Sequence, residues 1–388
     1  MTFSLIILIN RKSNYFTSLL FFILAYFELN NITEKKDIKD LLLSELQDIL
    51  QSSGYAKFRA IQIFTHLYKN RLKTFSDFYL LPADLRDFLE QNFKINSLTT
   101  ENIQYSIDGT TKFLFALSDD SAIESVLIPT ETIDEDPKLK RLTLCVSSQV
   151  GCALDCSFCA TGKLGYKRNL KPSEIVEQVL QVESHTGKKI SNIVFMGMGE
   201  PLHNIDNVVK AIDILSNSVA NVISRKKITI STAGIVPKIL ELANIPKPVK
   251  LAISLHSTTN GVRQKIMPIA KKWNIQSLRD SITQYYRKTN IPITYEYILF
   301  DGLNNSQEDA KRLAKFARTV PSKVNIIPFH DISFTNPTGF ARELKPAGKE
   351  QIEEFVSQLK NLGVNVYVRT SSGVDIDAAC GQLAYSKR

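Results

Sequence analysis

Cysteine is scarce in this sequence, with five residues among 388. A sparse and odd count argues against a framework of disulfides and fits a protein of a reducing compartment. Only one Cys-x2-Cys pair occurs, formed by Cys156 and Cys159. Because structural zinc sites favour two such pairs, a zinc site completed by Cys145 is the weaker interpretation of these cysteines.

Long apolar runs are scarce as well. Residues 16–27 are uncharged and mostly apolar, but a membrane-spanning helix needs about 20 such residues. Arg11 and Lys12 precede this stretch as in a signal peptide, yet a clean small-x-small cleavage site does not follow it. We interpret residues 1–33 as an atypical apolar extension from a misassigned start, with a membrane anchor as the alternative. Recovery of these residues by N-terminal sequencing of protein from the native gene would contradict this interpretation.

Acidic residues are outnumbered by basic ones, which gives a net charge of +9 and a pI of about 9.1. Such a balance favours a polyanionic partner through phosphate attraction and counterion release, although charge alone does not establish one. The apolar content of 44% is ordinary for a globular protein. The length predicts one large domain and a smaller one.

Residues 34–98 have a helical periodicity. Apolar side chains three and four apart between Ile38 and Leu50 predict a helix over residues 37–50. Further helices are predicted over residues 58–68 and from residue 81, where Pro82 stands near a helix start. We interpret this part as a small helical domain that supports the core or holds a large substrate.

Strand and helix patterns alternate through residues 99–388. A hairpin is predicted from residues 112–117 and 123–128, and a helix over residues 172–183. Further strands are predicted at residues 142–147, 192–196, 227–231, 250–255, 294–300, 323–327 and 365–369. Repeated strand–helix units predict an α/β fold with a parallel sheet, closed into a barrel or partial barrel. Chemistry in such folds takes place at the carboxyl ends of the strands.

Three cysteines follow the strand predicted at residues 142–147, with the spacing Cys152-x3-Cys156-x2-Cys159. Three thiolates can hold three corners of an iron–sulfur cluster and leave the fourth iron open to a small ligand. The spacing therefore predicts a cluster in preference to zinc.

Other polar residues follow the ends of predicted strands. Gly199-Glu200-Pro201 combines a close backbone approach with a carboxylate that can receive an ammonium group. Ser231 and Ser254 are suited to bind a ribose or a carboxylate, although strand-end capping explains them as well. His256 and His330 are of a type more often found as satisfied polar residues than as ligands.

Cys380 and a group of basic residues after the cysteine loop are two further features of the sequence. Cys380 lies near the C-terminus beside two acids, which raise rather than lower the pKa of a thiol, so the residues alone leave it as a core residue or a redox partner. Basic residues follow the cysteine loop directly in the sequence, and they are therefore the best candidates for contact with RNA. They are Lys163, Lys167, Arg168 and Lys171.

The cysteine spacing resembles the radical S-adenosylmethionine (SAM) superfamily, and the motifs together resemble its RlmN/Cfr family of RNA methyltransferases. The resemblance covers about residues 36–383 and is strongest to the RlmN branch. Its most specific motifs are residues 144–152 (LCVSSQVGC), 195–201 (FMGMGEP) and 375–383 (DIDAACGQL).

The resemblance implies a partial (β/α)6 TIM-like barrel preceded by a small helical accessory domain that contacts RNA. It implies one 4Fe-4S cluster and two SAM molecules per turnover. The implied reaction is methylation at C2 of adenosine 2503 in 23S rRNA and of adenosine 37 in tRNA. C2 of adenine is not nucleophilic, so direct transfer from the sulfonium of SAM would fail.

The resemblance also implies a mechanism. One SAM methylates Cys380, and a second is cleaved to a 5′-deoxyadenosyl radical that takes a hydrogen atom from the new methyl group. The resulting carbon radical adds to C2 of the adenine. Glu124 then accepts the C2 proton, and Cys145 attacks the sulfur of Cys380, which gives a transient disulfide and releases the RNA.

Site residues follow from the same resemblance, position by position. Cys152, Cys156 and Cys159 are the implied cluster ligands. The implied contacts to SAM are Gly199, Glu200, Ser231, Ser254, Leu255, His256 and His330. His330 departs from the family, in which many members have Asn at this position.

The implied partners are 23S rRNA, tRNA and an external electron donor such as flavodoxin. We expect a cytoplasmic monomer without a stable membrane partner. Two alternatives remain: a Cfr-like enzyme that methylates C8 of adenine, and a non-catalytic RNA-binding protein stabilised by zinc. Residues 126–129 (VLIP) favour the RlmN branch over the first, and the second leaves Gly199-Glu200-Pro201 and Cys380 without a purpose.

Overall fold

The computed structural model describes residues 35–130, 141–369 and 371–384. The interpretation of residues 1–33 lies outside the described residues. Among the described helices, none is long and apolar enough to cross a membrane.

Among the described residues, three α-helices precede the main sheet, over Leu43–Ser52, Phe58–Tyr68 and Ala83–Asn92. They pack through buried aliphatic and aromatic side chains such as Leu46, Phe64 and Leu85. Two short strands, β1 (Lys36–Asp37) and β2 (Phe93–Lys94), pair in parallel and join the two ends of this part.

The first predicted helix begins later than the periodicity indicates. Asp37 is buried and accepts a hydrogen bond from the backbone N–H of Lys39, which starts a 3-10 turn over Ile38–Asp40 instead of an α-helix. The α-helix begins at Leu43, where the side chain of Glu45 accepts a bond from the N–H of Leu42. The prediction of a helix from residue 37 was therefore wrong by six residues, because a buried carboxylate competes for the first backbone donors.

In the described parts of the chain, ten strands form the main sheet. In chain order they are β3 (Thr99–Tyr105), β4 (Thr111–Ala116), β5 (Ala122–Thr130), β6 (Arg141–Cys145), β9 (Asn192–Phe195), β10 (Ile228–Thr232), β11 (Lys250–Ser254), β12 (Ile293–Leu299), β13 (Ser322–Pro328) and β14 (Val366–Val368). The spatial order is β14-β13-β12-β11-β10-β9-β6-β5-β4-β3. In this sheet, β6 and the strands from β9 to β14 run parallel, and β3, β4 and β5 extend the sheet as an antiparallel meander.

Helices connect the parallel strands and form a partial (β/α)6 barrel, which confirms the predicted fold class. The six connecting helices are Pro172–Thr186, Ile205–Leu215, Val236–Leu242, Ile275–Thr289, Gln307–Ala317 and Lys349–Asn361. Between β11 and Ile275–Thr289, a further helix spans Asn260–Ile266. The central strand β11 is buried on both faces, as the consecutive residues Leu251, Ala252 and Ile253 show, so the carboxyl ends of the strands are left for function.

A small hairpin lies after β6 and carries the cysteine loop. Its strands are β7 (Gln149–Gly151) and β8 (Tyr166–Asn169), and a four-residue helix, Ala160–Lys163, stands between them. The loop therefore projects from the carboxyl end of β6, as the sequence predicts.

Candidate active site

The cysteine loop is fixed at its entrance by Gly151. This glycine has φ +71°, and a Cβ added to it would lie 1.8 Å from the carbonyl oxygen of Gly165. The next N–H, that of Cys152, donates to the same carbonyl at 2.8 Å. A side chain at Gly151 would push the two strands of the hairpin apart, so glycine is required where the first cysteine is set.

Cys152, Cys156 and Cys159 line one cavity at the carboxyl ends of the strands. Burial raises the pKa of all three thiols, to about 12 for Cys152, so a thiolate would be unfavourable here without a cation. Within the described ranges, no three His, Cys, Asp or Glu side chains converge closely enough to hold a single metal ion. In a cubane cluster each thiolate binds a different iron, so three cysteines around one cavity fit the cluster better than zinc.

Gly199 and Glu200 form the wall beside the three thiols. Gly199 has φ +97°, and a Cβ there would lie 2.5 Å from the side chain of Gln149. The Oε1 atom of Gln149 in turn accepts from the N–H of Glu200 at 2.8 Å. Gln149 thus connects the hairpin that carries the cysteines to the loop after β9, by packing and by a hydrogen bond.

The carboxylate of Glu200 is buried, and its position is fixed by two backbone groups. Its Oε1 accepts from the N–H of Leu202 at 3.0 Å, and its Oε2 accepts from the N–H of Ala233 at 2.8 Å. Burial raises the pKa of Glu200, and the bond from Ala233 opposes that rise. The carboxylate is therefore held in a single orientation at the cavity.

Three further predicted residues reach the same cavity from neighbouring strands. Ser231 comes from β10, Ser254 from the end of β11, and His256 from the loop after β11. Leu255 is buried between them, and its N–H donates to the carbonyl of Glu296 at 3.0 Å. The parallel strands therefore bring these residues to one edge, as the sequence predicts.

His256 is a buried, neutral ring. Its backbone is left-handed, with φ +53°, and its Nδ1 accepts from the N–H of Ile298 at 3.0 Å. Burial lowers its pKa to about 3. The proton of the neutral ring therefore lies on Nε2, which leaves a donor on that nitrogen.

Sequence reasoning missed the arginine that holds these strand ends together. Arg263 is buried and donates to the carbonyls of Ala233, Leu255 and Ser254, at 2.6, 3.2 and 3.3 Å. Burial lowers its pKa to about 10. It lies in the helix Asn260–Ile266, where a single basic residue gives no pattern that distinguishes it from a surface cation.

Cys380 joins this cavity to a second one. The second cavity is lined by Cys145, His330, Arg369 and Cys380, together with Val126 and Ile128 from β5. Cys145 is buried at the end of β6, and burial raises its pKa to about 12. All five cysteines are free thiols, and Cys380 belongs to the lining of both cavities.

The segment that bears Cys380 is bonded to the cysteine loop. The N–H of Ala160 donates to the carbonyl of Gly381 at 2.7 Å, and the hydroxyl of Thr161 donates to the carbonyl of Leu383 at 2.5 Å. Gly381 has φ +88°, and a Cβ there would lie 2.9 Å from the carbonyl oxygen of Phe158. These contacts fix a C-terminal residue against a loop that is distant in sequence.

His330 lines the second cavity, together with Cys145 and Cys380. Among the described residues that line the first cavity, it does not occur. Burial lowers the pKa of this half-buried histidine. The structure therefore places it with the thiols of the second cavity, whereas its predicted contact to SAM stays a prediction.

Glu124 is buried on β5 beside a lysine. Its Oε1 lies 3.5 Å from Nζ of Lys112, and its Oε2 has no hydrogen-bond partner among the described residues. Burial raises the pKa of this carboxyl group, and the lysine opposes the rise. Glu124 is therefore not a solvated strand residue, since it is only 4% exposed.

Several of the basic residues after the cysteine loop pair with carboxylates. Lys163 lies 2.5 Å from Asp155, and Arg168 binds both Asp119 and Glu174. Tyr166 is exposed between them. These cations are therefore partly neutralised within the protein.

Comparisons with known proteins agree with this geometry. The family model described as the radical SAM superfamily matches residues 146–316, which include the three cysteines and Glu200 but not Cys380. The chain is 42% identical over 355 residues to a probable dual-specificity RNA methyltransferase RlmN of Flavobacterium johnsoniae, covering 90% of this chain and 97% of that protein. It is 44% identical over 353 residues to a dual-specificity RNA methyltransferase RlmN of Geotalea uraniireducens, with the same coverage.

A solved structure shares the architecture. The crystal structure of a radical SAM methyltransferase from Sphaerobacter thermophilus superposes with a TM-score of 0.80 at 36% identity, covering 89% of this chain and 98% of that one. Its likeness extends beyond the matched superfamily region to nearly the whole chain. The relatives are named as RNA methyltransferases, and the superfamily model matches this chain, which favours an enzyme over a non-catalytic zinc-binding module.

Proposed function

Because the chain belongs to the RlmN family of radical SAM RNA methyltransferases, we propose that it methylates C2 of adenosine 2503 in 23S rRNA and of adenosine 37 in tRNA. The methyl group passes through Cys380, and each turnover uses two SAM molecules. The observation that carries the proposal is the position of Cys380 in the lining of both cavities. A residue there can receive a methyl group at one cavity and present it at the other.

The first cavity fits the cofactors that the family uses. Cys152, Cys156 and Cys159 would hold a 4Fe-4S cluster, and Gly199, Glu200, Ser231, Ser254, Leu255 and His256 would contact SAM. His330 would contact SAM from the side of the second cavity, which it lines. Once bound, the cluster and SAM supply a carbon-centred radical that can remove a hydrogen atom from a methyl group. The buried carboxylate of Glu200 suits the ammonium group of SAM, because a charge-assisted hydrogen bond is strong in a water-poor site.

Cys380 is the carrier in this proposal. As a thiolate it takes a methyl group from SAM by displacement, so that an S–C bond forms as the sulfonium S–C bond breaks. After hydrogen removal, its carbon is bonded to C2 of the adenine, which gives a covalent link between protein and RNA. The second cavity gives the adenine room beside Cys380.

Glu124 and Cys145 complete the transfer. The carboxylate of Glu124 accepts the C2 proton, while the radical adduct would return one electron to the cluster that supplied it. Oε2 of Glu124 is the atom available for the proton, since it has no partner among the described residues. The sulfur of Cys145 attacks the sulfur of Cys380, so that the S–S bond forms as the bond from Cys380 to the transferred carbon breaks. The electron pair stays with that carbon, which takes up the proton that the Cys145 thiol gives up and so becomes a methyl group. An external thiol then reduces this transient disulfide.

The RNA must offer an adenine outside its stack, because C2 is shielded in a stacked base. We propose residues 34–98 as an accessory domain that holds the RNA and residues 99–388 as the catalytic domain. A cytoplasmic monomer supplied with electrons by a protein such as flavodoxin completes the proposal. The net charge of +9 suits such a polyanionic substrate.

Product analysis tests the proposal. Protein purified without oxygen and reconstituted with iron and sulfide is incubated with SAM, a reductant and a 23S rRNA fragment or tRNA, and the digested nucleosides are identified by mass spectrometry. We expect 2-methyladenosine together with 5′-deoxyadenosine. A product of 8-methyladenosine would instead assign the chain to C8 chemistry, and the absence of any methylated base would contradict the proposal.

A further inference from the structure

Lys112 is a buried lysine whose ammonium lies between Glu124 and the C-terminal segment that bears Cys380. The residue is only 8% exposed, although lysine side chains normally place their charge in water. In the register of the sheet, Lys112 of β4 stands opposite Val126 of β5, which stands opposite Cys145 of β6. Val126 and Cys145 line the second cavity, so the lysine belongs to the row of residues that faces it.

The ammonium of Lys112 has two partners. It lies 3.5 Å from Oε1 of Glu124, whose side chain is on the same face of the sheet, two residues before Val126. It also donates a hydrogen bond of 3.3 Å to the carbonyl of Asp377. The first partner is the proposed proton acceptor, and the second lies three residues before Cys380.

The charge of Lys112 opposes two effects that would protonate Glu124. Burial disfavours the carboxylate, and the carboxylate of Asp377, on the C-terminal segment, repels it. Among the described residues, Lys112 is the cation that acts against both, and Lys112 and Asp377 are the charged groups that face Glu124 from β4 and from the C-terminal segment. A group that accepts a proton must be ionised beforehand, so the lysine favours the reactive form.

The turn between β3 and β4 is hydrogen-bonded to Gly373 and Asp375, in the same C-terminal segment. Asp375 accepts from the hydroxyl of Ser106 at 2.5 Å and from the N–H of Ile107 at 3.2 Å. Asp108 accepts from the N–H of Gly373 at 2.9 Å. Lys112 therefore belongs to a set of contacts that ties β4 and its turn to the segment bearing Cys380.

We propose that Lys112 is a positioning residue that keeps Glu124 ionised and holds the segment of Cys380 against β4, so that proton acceptor and methyl carrier keep one arrangement. This inference rests on the proposed function, since it concerns the proton that leaves C2 during methyl transfer. Lys112 does not itself touch the reacting atoms. Its effect should be largest after the covalent link to RNA has formed.

Three substitutions separate the charge from the tether. Lys112→Met removes both, Lys112→Gln keeps a donor for the Asp377 carbonyl without charge, and Lys112→Arg keeps the charge. Lys311→Met is the matched control, because Lys311 pairs with Glu308 at 2.6 Å on an exposed helix face. The measurements are the rate of RNA methylation, the methyl content of the Cys380 peptide, and the amount of covalent RNA–protein adduct as a function of pH.

We expect Lys112→Met to slow RNA methylation at least tenfold and to accumulate the covalent adduct, while Lys311→Met behaves as wild type. Lys112→Gln should still acquire a methyl group on Cys380, but the acid limb of its pH–rate profile should move to higher pH, because the pKa of Glu124 rises without the neighbouring cation. Lys112→Arg should keep the wild-type profile. A purely structural role would lower the rate without moving that limb.

The inference is overturned if Lys112→Met and Lys112→Gln keep the wild-type rate, adduct level and pH profile. If Lys112→Met does not fold, as judged by circular dichroism, Lys112→Gln decides alone. Wild-type enzyme is assayed in parallel: without 2-methyladenosine from it, the proposed function fails together with this inference. An active wild type with unaffected Lys112 variants overturns the role of Lys112 only.

Discussion

At the scale of single residues, position distinguishes the two thiols outside the cysteine loop. Cys380 is exposed to both cavities, whereas Cys145 is buried behind it at the end of β6. Burial raises the pKa of Cys145 to about 12, and it would become nucleophilic only when a base takes its proton. This difference fits Cys380 as the exposed methyl carrier and Cys145 as the buried thiol that attacks its sulfur.

Cys380→Ala should transfer no methyl group to RNA, because the carrier sulfur is lost. It should still bind the cluster and cleave some SAM, since Cys152, Cys156 and Cys159 are unchanged. Methylated nucleoside and 5′-deoxyadenosine are measured in the same reaction. Normal methylation by this variant would contradict the role of carrier.

Cys145→Ala should behave differently. The methyl group still reaches Cys380 and the link to RNA still forms, but no thiol remains to attack the sulfur. We therefore expect a stable RNA–protein adduct, visible as a shifted band after denaturing electrophoresis and lost after ribonuclease treatment. Release of methylated RNA at the wild-type rate would remove Cys145 from the mechanism.

At the scale of elements, the hairpin of β7 and β8 sets the cysteine loop. The two strands can pair at Gly151 because this residue has no Cβ, which would clash with the carbonyl oxygen of Gly165. Sequence reasoning found the loop through its cysteines but not the hairpin, since two short strands carry too few alternating residues to be recognised. β3 was missed too, because this edge strand is mostly exposed and polar.

Gly151→Ala should displace Cys152 and lower the iron content of the reconstituted protein. Two effects add: the positive φ costs about 1–2 kcal/mol in a residue with a side chain, and the new Cβ clashes with backbone. Gly187→Ala is the control, because Gly187 has φ +64° but open space around its Cβ position. It should lose some thermal stability and keep its iron. Equal iron contents in the two variants would contradict the account of the hairpin.

At the scale of the whole molecule, the strands of the parallel part of the main sheet were predictable, and so was the edge at which their ends meet. Runs of β-branched residues bounded by turns located β9, β11 and β12 to within about two residues, and parallel topology brought their ends together. The approach of the C-terminal segment to the cysteine loop could not be predicted from spacing, because backbone bonds between Ala160 and Gly381 carry no local sequence pattern. The burial of Lys112 and Glu124 was missed for another reason, because a charged residue on a strand is usually solvated.

The central claim is that methyl transfer passes through Cys380, and an isotope experiment tests it most directly. Enzyme whose Cys380 already carries an unlabelled methyl group is mixed with RNA, reductant and SAM labelled with deuterium in its methyl group, and the product of the first turnover is analysed by mass spectrometry. The account predicts an unlabelled carbon in the first product and label only in later ones. A fully labelled methyl group in the first product would contradict it.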